Sequence, residues 1–316
     1  MQGEKRKLMI QVAKLYYYGH MTQEEISKML GISRSKVSRL LLEAEQKNIV
    51  RITISDPYFN RQDAADYIKE KFGLAHVIVV PSGNSLSASK TNIAEAATDF
   101  VNSIITDHSK IGISWGTTLN TFVNAYKPLR TYPKATVVQL VGGVYNSGLH
   151  MDASEVARTL AAKLQSRLSI LQLPMFMRNP ELKELILKEP ETASHFKLFD
   201  ELDIALVGIG SYNYKERVVY KANYITEDDA RQIDRLGLCD ICGHQIDSLG
   251  NEPIESLRNR LFGISLESLK RTPMVIGMCA GKDRAQSVRS GVNGGYLKAL
   301  IIDEIAAMTL LESDED

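Results

Sequence analysis

Residues 22–42 of this 316-residue chain read TQEEISKMLGISRSKVSRLLL, a pattern that suits two short helices about a tight turn and little else. Thr22 and Glu25 have the T-x-x-E spacing of a capping box, with Met21 and Ile26 placed as its hydrophobic staple. Gly31 falls just past the last apolar residue, where a left-handed backbone is cheap. Ser33 is placed as N-cap of a second helix in which Val37, Leu40, Leu41 and Ala44 recur at helical spacing. Ile26, Leu30 and Ile32 supply the positions this helix packs on, and Ser27 is small enough for a close crossing. Together these are the marks of a helix-turn-helix.

The outward face of the second helix carries Ser33, Arg34, Ser35, Lys36, Ser38 and Arg39. Arginine can read guanine through two parallel hydrogen bonds, and short hydroxyls suit phosphates and base edges. A basic face can also be merely solvated. Its place at the exposed N-terminal end of a recognition helix is what points to DNA, with Thr22 at the start of the first helix counted alongside.

The net charge is zero, but unevenly spread. Residues 1–55 hold ten Lys/Arg against five Asp/Glu, and residues 56–316 hold 28 against 33. A basic head on a mildly acidic body fits a nucleic-acid module joined to a part that does not bind nucleic acid. A hydrophobic fraction of 44% and a charged fraction of 24% are those of an ordinary soluble protein. The absence of a long apolar run and of a signal-peptide core in MQGEKRKLMI implies a cytoplasmic protein with no membrane partner. Three cysteines without a leader fit a reducing compartment. Cys239 and Cys242 form a C-x-x-C, but a metal or redox site needs a second ligand pair or a thioredoxin-like context. They are read as buried structural cysteines, and no metal or cofactor is expected.

A first helix over 8–19, with Leu8, Val12, Leu15 and Tyr16 on one face, covers the helix-turn-helix pair. The alternating run 49–54 reads as a strand, either a wing or a lead out of the domain, and Ser55-Asp56-Pro57 breaks it. The expected division is therefore a DNA-binding domain over 1–55 and a second domain over 56–316. After a helix over 62–72 the texture changes. Short apolar runs at 76–80, 110–114, 136–141, 169–173, 203–209, 274–278 and 297–302 alternate with helical patterns at 91–105, 153–167, 180–188 and 285–292. Buried strands alternating with helices predict an α/β domain, a mostly parallel sheet covered on both faces.

In such sheets ligands bind beyond the carboxyl ends of the strands. Four expected loops there are rich in glycine and hydroxyls. Ser114-Trp115-Gly116-Thr117-Thr118 follows one strand and leads into a helix, which suits a phosphate held by free N–H groups and hydroxyls. The others are Gly142-Gly143, then Gly208-Ile209-Gly210-Ser211, and Ala280-Gly281-Lys282-Asp283-Arg284, which brings two cations. Glycine after a strand is often only a tight turn, so it is the set of four that favours an anionic small-molecule site. Asp240 could accept bonds from sugar hydroxyls, or could equally be a capping or salt-bridged aspartate.

Several segments in order, LYYYGHMTQEEISKMLGISRSKVSRLL, IGISWGTTL, VVQLVGG, DIALVGIGS, CDICGHQID and GGYLKALIIDE, make the chain resemble the SorC-type sugar-binding transcriptional regulators of bacteria over essentially its full length. The resemblance implies a winged helix-turn-helix head and a body related to sugar-phosphate isomerases and deaminases. It also implies a regulator, commonly a homotetramer, whose grip on operator DNA responds to a phosphorylated sugar. Position by position it implies that Ser114, Gly116, Thr117 and Thr118 cradle the phosphate, with Trp115 in the same loop, and that Gly142 and Gly143 line the site. Gly208 and Gly210 belong to the matching strand end, and Asp240 would face sugar hydroxyls. Arg284 stands where the family usually has lysine, Cys239 replaces a glycine, and Val141 sits where some members carry a basic residue.

The reading that follows is a ligand-gated transcription factor, a repressor of a carbohydrate-utilisation operon, acting as a dimer or tetramer and without catalytic residues. Two other readings remain: an isomerase or deaminase with a DNA-binding head, and a nucleic-acid-binding protein whose body only oligomerises. Isomerisation needs a poised acid or histidine with a second relay group; Asp240 is the one acid placed at the site, and no histidine falls on the four loops.

Overall fold

A computed structural model of the chain describes residues 2–47, 49–50, 52, 59–143, 153–210 and 225–312. It divides into two units, Met1–Ser55 with Pro81–Ser89, and Asp56–Val80 with Lys90–Asp316. Among the described residues, no helix is long and apolar enough to cross a membrane.

The first unit holds α1 (Gln2–Tyr17), α2 (Gln23–Leu30) and α3 (Arg34–Gln46). Local chemistry sets its boundaries. The Thr22 hydroxyl accepts from the Glu25 amide at 3.3 Å while the Glu25 carboxylate accepts from the Thr22 amide at 2.8 Å, closing the capping box. The Thr22 amide, and then its hydroxyl donating at 2.8 Å, hold the Glu25 carboxyl below the usual carboxylate range. Gly31 ends α2 at φ 64°, and Ser33 caps α3 by accepting from the Lys36 amide at 3.2 Å. Ser27 has a role beyond its size: its hydroxyl donates to the Ile32 carbonyl and so ties α2 to the turn. Met9, Val12, Ala13, Ile26, Val37, Leu40, Leu41 and Ala44 form the core. On α1 the buried positions are Met9, Val12 and Ala13, with Leu8, Leu15 and Tyr16 packed at its edge. The strand expected over 49–54 and the break at 55–57 fall mostly outside the described residues; Ile49 and Val50 pack on the core without forming a strand.

The second unit begins with α4 (Arg61–Phe72) and is built on a seven-stranded sheet. Its strands are β1 (His76–Val80), β2 (Lys110–Ile113), β3 (Thr136–Gln139), β4 (Arg167–Ser169), β5 (Ile204–Gly208), β8 (Met274–Cys279) and β9 (Ala299–Asp303). Strands β6 (Cys239–Ile241) and β7 (His244–Ile246) form a separate antiparallel hairpin. The sheet order is β1-β9-β8-β5-β2-β3-β4, and every pairing is parallel.

Alternate residues of one strand enter different cores, as the pleat requires. Ile204 and Leu206 join Ile276, Ile301 and helices α5 (Leu86–Ile104), α6 (Thr117–Ala125) and α7 (Ala153–Leu164). Ala205 and Val207 face the other way, toward Ile68 of α4, Val288 of a later helix (Ala285–Asn293) and Leu310 of the last (Glu304–Glu312). Both faces are therefore covered, which is why these strands read as unbroken apolar runs.

Two expectations shift. The strand expected over 169–173 lies at Arg167–Ser169, because beyond it the chain leaves the ladder: the Leu171 amide goes to the Gln139 side chain, and Leu173 accepts from Gly143. The helix expected over 180–188 is α8 (Pro180–Ile186), and a second helix, α9 (Pro190–Lys197), starts at the next proline.

Candidate functional site

Strand β2 is followed in the chain by β3 on one side, whereas β5 is followed by β8 on the other. The order reverses between β2 and β5, and a crevice opens at such a point beyond the carboxyl ends. The 114–118 loop and the 208–210 segment leave the sheet there. A Cβ on Gly208 would lie 3.2 Å from the Trp115 carbonyl, so the two segments touch.

Gly116 is the N-cap of α6, at φ 122° and ψ 166°, a backbone that side chains rarely tolerate. Among the described residues no side chain caps the helix there, and a Cβ on Gly116 would meet nothing within 4 Å. Asn120 is the first α6 amide to bond back, to Gly116 at 2.9 Å. The Thr117, Thr118 and Leu119 amides therefore have no partner within the helix and point past its positive end. The other end of α6 is closed by Lys163, whose ammonium donates to the Asn124 and Tyr126 carbonyls.

The hairpin reaches the same crevice. Ile209 and Ile241 form an isolated antiparallel bridge, and the Gly210 amide donates to the Asp240 carbonyl at 2.9 Å. A Cβ on Gly210 would sit 2.8 Å from that of Asp240. The Asp240 carboxylate, half-buried, is braced by Gln245 Nε2 at 2.8 Å and by the Gly243 amide at 3.4 Å. Cys242 lies against Ser114 and Asp240. Burial pushes its thiol up to about 12, against a hydrogen bond with Ser114. Cys239, Cys242 and Cys279 are all buried and unbonded to one another. Among the described residues no group of His, Cys, Asp and Glu is placed to hold a metal ion.

Arg284, in a 3-10 turn (Lys282–Arg284) after β8, is half-buried. Its charge weighs on Cys279 and on Lys90 of α5. Lys90 in turn donates to Thr117 Oγ1 at 2.6 Å. Ser114, Trp115, Gly116, Thr117, Thr118, Gly208, Gly210, Asp240 and Arg284 are thus gathered at one end of the sheet. Lys90 joins them from the start of α5, a helix legible in the sequence but with no sign there of a site. Ser211 lies outside the described residues.

Gly142 and Gly143 behave differently. Their amides donate to Phe262 at 2.9 Å and to Leu173 at 2.8 Å, so neither is available to an anion. A Cβ on Gly142 would lie 2.6 Å from the Pro174 backbone. The pair lets two backbones touch at the end of β3, and Val141 beside it is fully buried. Gly142→Ala should accordingly lose about 1–3 kcal/mol of stability by overpacking. A thermal midpoint equal to wild type would refute this.

On the reading side, Thr22, Ser33, Arg34, Ser35, Lys36, Ser38 and Arg39 are all exposed. The first turn of α3 has no acid. Its carboxylates lie further along and are drawn toward α1, Glu43 by Lys5 at 2.9 Å and Glu45 by the Tyr17 hydroxyl at 2.7 Å. Lys28 and Lys47 are ion-paired, whereas Arg34, Lys36 and Arg39 have no ion pair among the described residues. Three unneutralised cations on one edge of a capped helix suit a phosphate-lined groove.

Residues 56–312 match the family described as "Putative sugar-binding domain", and residues 10–47 match Sigma-70, region 4. The chain is 28% identical to the deoxyribonucleoside regulator of Bacillus subtilis (strain 168), covering 98% of this chain and 99% of that one. It is 26% identical to the sorbitol operon regulator of Klebsiella pneumoniae, covering 97% and 98%. The crystal structure of that full-length regulator, SorC, superposes with a TM-score of 0.73 at 24% identity over 96% of this chain and 98% of that one. A transcriptional regulator from Streptococcus pneumoniae TIGR4 gives 0.75 at 25% over 81% and 98%.

The chain belongs to the SorC-type family of sugar-binding transcriptional regulators.

These relatives are named as regulators and not as enzymes. The Asp240 carboxylate is braced on both oxygens. His244 in the same hairpin has both ring nitrogens engaged, with Glu252 and with the Ile264 carbonyl. His195 is likewise committed. Its Nε2 donates to the Gln139 carbonyl, so its Nδ1 accepts from Ser169, and burial holds it below the usual histidine range. In this SorC-type regulator both histidines are therefore held by bonds within the fold.

Proposed function

We propose that this chain is a sequence-specific repressor whose release from operator DNA is set by a phosphorylated sugar. The phosphate lies over the N-terminus of α6, between the 114–118 loop and Arg284, and the sugar hydroxyls are accepted by Asp240. The observation that carries this reading is the convergence of the open end of α6, a half-buried Arg284 and the braced Asp240 at the reversal of strand order. The names of two relatives, a deoxyribonucleoside regulator and a sorbitol operon regulator, support a phosphorylated carbohydrate as the class of effector.

Residues 1–55 are the reading head and residues 56–316 the effector-binding and oligomerising body. One recognition helix covers only part of a major groove, so the protein acts in the cytoplasm as a homo-oligomer, a dimer or tetramer on repeated half-sites. The effector can gate DNA binding only by favouring one assembly over the other, with a coupling of about 1–3 kcal/mol as the usual range.

The test is a thermal-shift screen of phosphorylated pentoses, hexoses and polyols. The true effector at a hundred times its dissociation constant should stabilise the protein by about 2.7 kcal/mol. The same compound should lower operator affinity in a gel-shift assay; a rise instead would make the protein an activator or corepressor. Turnover of any compound in the panel would revive the enzyme reading, and no shift with any of them would leave a body that only oligomerises.

A further inference from the structure

Lys90 lies in α5, away from all four glycine-rich loops in the sequence, yet its ammonium ends at the open end of α6. It donates to Thr117 Oγ1 at 2.6 Å. A hydroxyl that accepts from a lysine keeps its own proton free to donate elsewhere. The Lys90 side chain is half-buried, and the charge that bears on it is a second cation, Arg284. Among the described residues neither Lys90 nor Arg284 has a carboxylate partner.

Other cations of the same unit are handled differently. Arg61 meets Glu304, Lys110 meets Glu201 and Arg260 meets Asp229, each at 2.6 Å. Two like charges brought together and partly withdrawn from water, at the positive end of a helix, repel one another unless an anion sits among them. A single negative charge leaves one cation uncompensated. A doubly charged group balances both.

We propose that Lys90 and Arg284 clamp one dianionic phosphate monoester over the first turn of α6, with Lys90 as a specificity-determining contact that turns away singly charged carboxylates. This rests on the effector site proposed above and adds to it a residue and a charge requirement. The clamp is also proton-linked. Burial, then the Arg284 charge, hold the Lys90 ammonium below the usual lysine range. Arg284 stays charged throughout. Asp303, at the end of β9, acts on Cys279 and takes the Gly281 and Ala306 amides, while Thr117 meets Lys90 with a neutral hydroxyl. Anion affinity should therefore weaken as pH rises through the lowered Lys90 value. On the acid side it should weaken as the phosphate takes up its second proton, near pH 6 for a monoester.

The experiment uses inorganic phosphate as probe, titrated by calorimetry into the full chain and its Lys90→Gln, Lys90→Arg and Arg284→Gln variants between pH 6 and 10. Lys90→Gln should bind phosphate about tenfold or more weakly, the loss expected for a charged hydrogen bond. Lys90→Arg should stay within roughly threefold of wild type at pH 7 and lose the alkaline decline, because its charge does not titrate there. Acetate should compete in none of them. Lys90→Gln binding as well as wild type would overturn the clamp, as would a Lys90→Arg profile that keeps the alkaline decline. Should Lys90→Gln fail to fold, the Lys90→Arg profile decides alone. A wild-type protein blind to phosphate would also overturn the clamp, and the sugar-phosphate screen then judges the underlying site separately.

Discussion

Replacing both Arg34 and Arg39 by alanine should remove most of the protein's preference for its operator while leaving its fold intact. Each arginine that pairs with guanine contributes about 1–3 kcal/mol at that base, or roughly five- to 150-fold in affinity. Both are exposed, and neither is ion-paired among the described residues, so their removal leaves no buried charge behind. The two possible roles separate by salt. Loss of a base contact relaxes specificity at one position, whereas loss of a phosphate contact weakens all sequences alike. The phosphate case also flattens the log–log salt dependence by about 0.9 per contact. Lys28→Ala is the matched control, since that cation sits on α2 and already pairs with Glu24 at 3.1 Å. Footprints of unchanged affinity for both arginine variants would take α3 out of the groove.

How far the sequence speaks for itself depends on the range of the interaction. Thr22, Gly31 and Ser33 act on neighbours three or four residues away, and each stands where its local chemistry puts it. The strands are legible for a related reason: a strand buried on both faces must be apolar at every position, and Ile204 to Val207 are. Glycines mark the limit. Gly116 and Gly142 both follow strands and look alike in sequence, but one caps an open helix and the other is pressed against the Pro174 backbone. Which one stays open depends on where residues 173–174 run. Lys90 was illegible because no local pattern ties it to Thr117; only the packing of α5 against α6 does. Asp240 admits two readings in the sequence for the same reason, as its bracing partner Gln245 comes from a hairpin strand too short to leave a pattern of its own.

That hairpin also holds the residue with the steepest expected effect on stability. His244 is buried, and its Nε2 lies 2.8 Å from the Ile264 carbonyl, an oxygen that can only accept. Nε2 therefore carries a proton, and Nδ1, 2.9 Å from Glu252 Oε1, carries a second one whenever the ring is charged. Burial alone would pull His244 down. The Glu252 hydrogen bond and charge outweigh it, aided by the Ile264 carbonyl and by Asp240, and the net shift is upward.

A folded-state value above the unfolded one, about 6.5, fixes the sign. The contribution of the pair is complete below that pH and is lost as pH rises through the folded value. Glu252→Ala takes away the main group that offsets the buried imidazolium charge, and breaking such a pair costs about 3–5 kcal/mol. At roughly 2–4 °C per kcal/mol for a domain of this size, the melting temperature at pH 6 should fall by about 10 °C. The gap between variant and wild type should narrow as pH rises above about 6.5 and through the raised folded value, because the wild-type ring then loses its charge as well. A gap that stays constant from pH 6 to pH 9 would mean that His244 is neutral throughout and that Glu252 serves only as a hydrogen-bond acceptor. Because β6 and β7 pair Ile241 with His244 and Asp240 with Gln245, slackening this pair should also loosen the carboxylate proposed to meet the sugar. Effector affinity should then weaken along with stability.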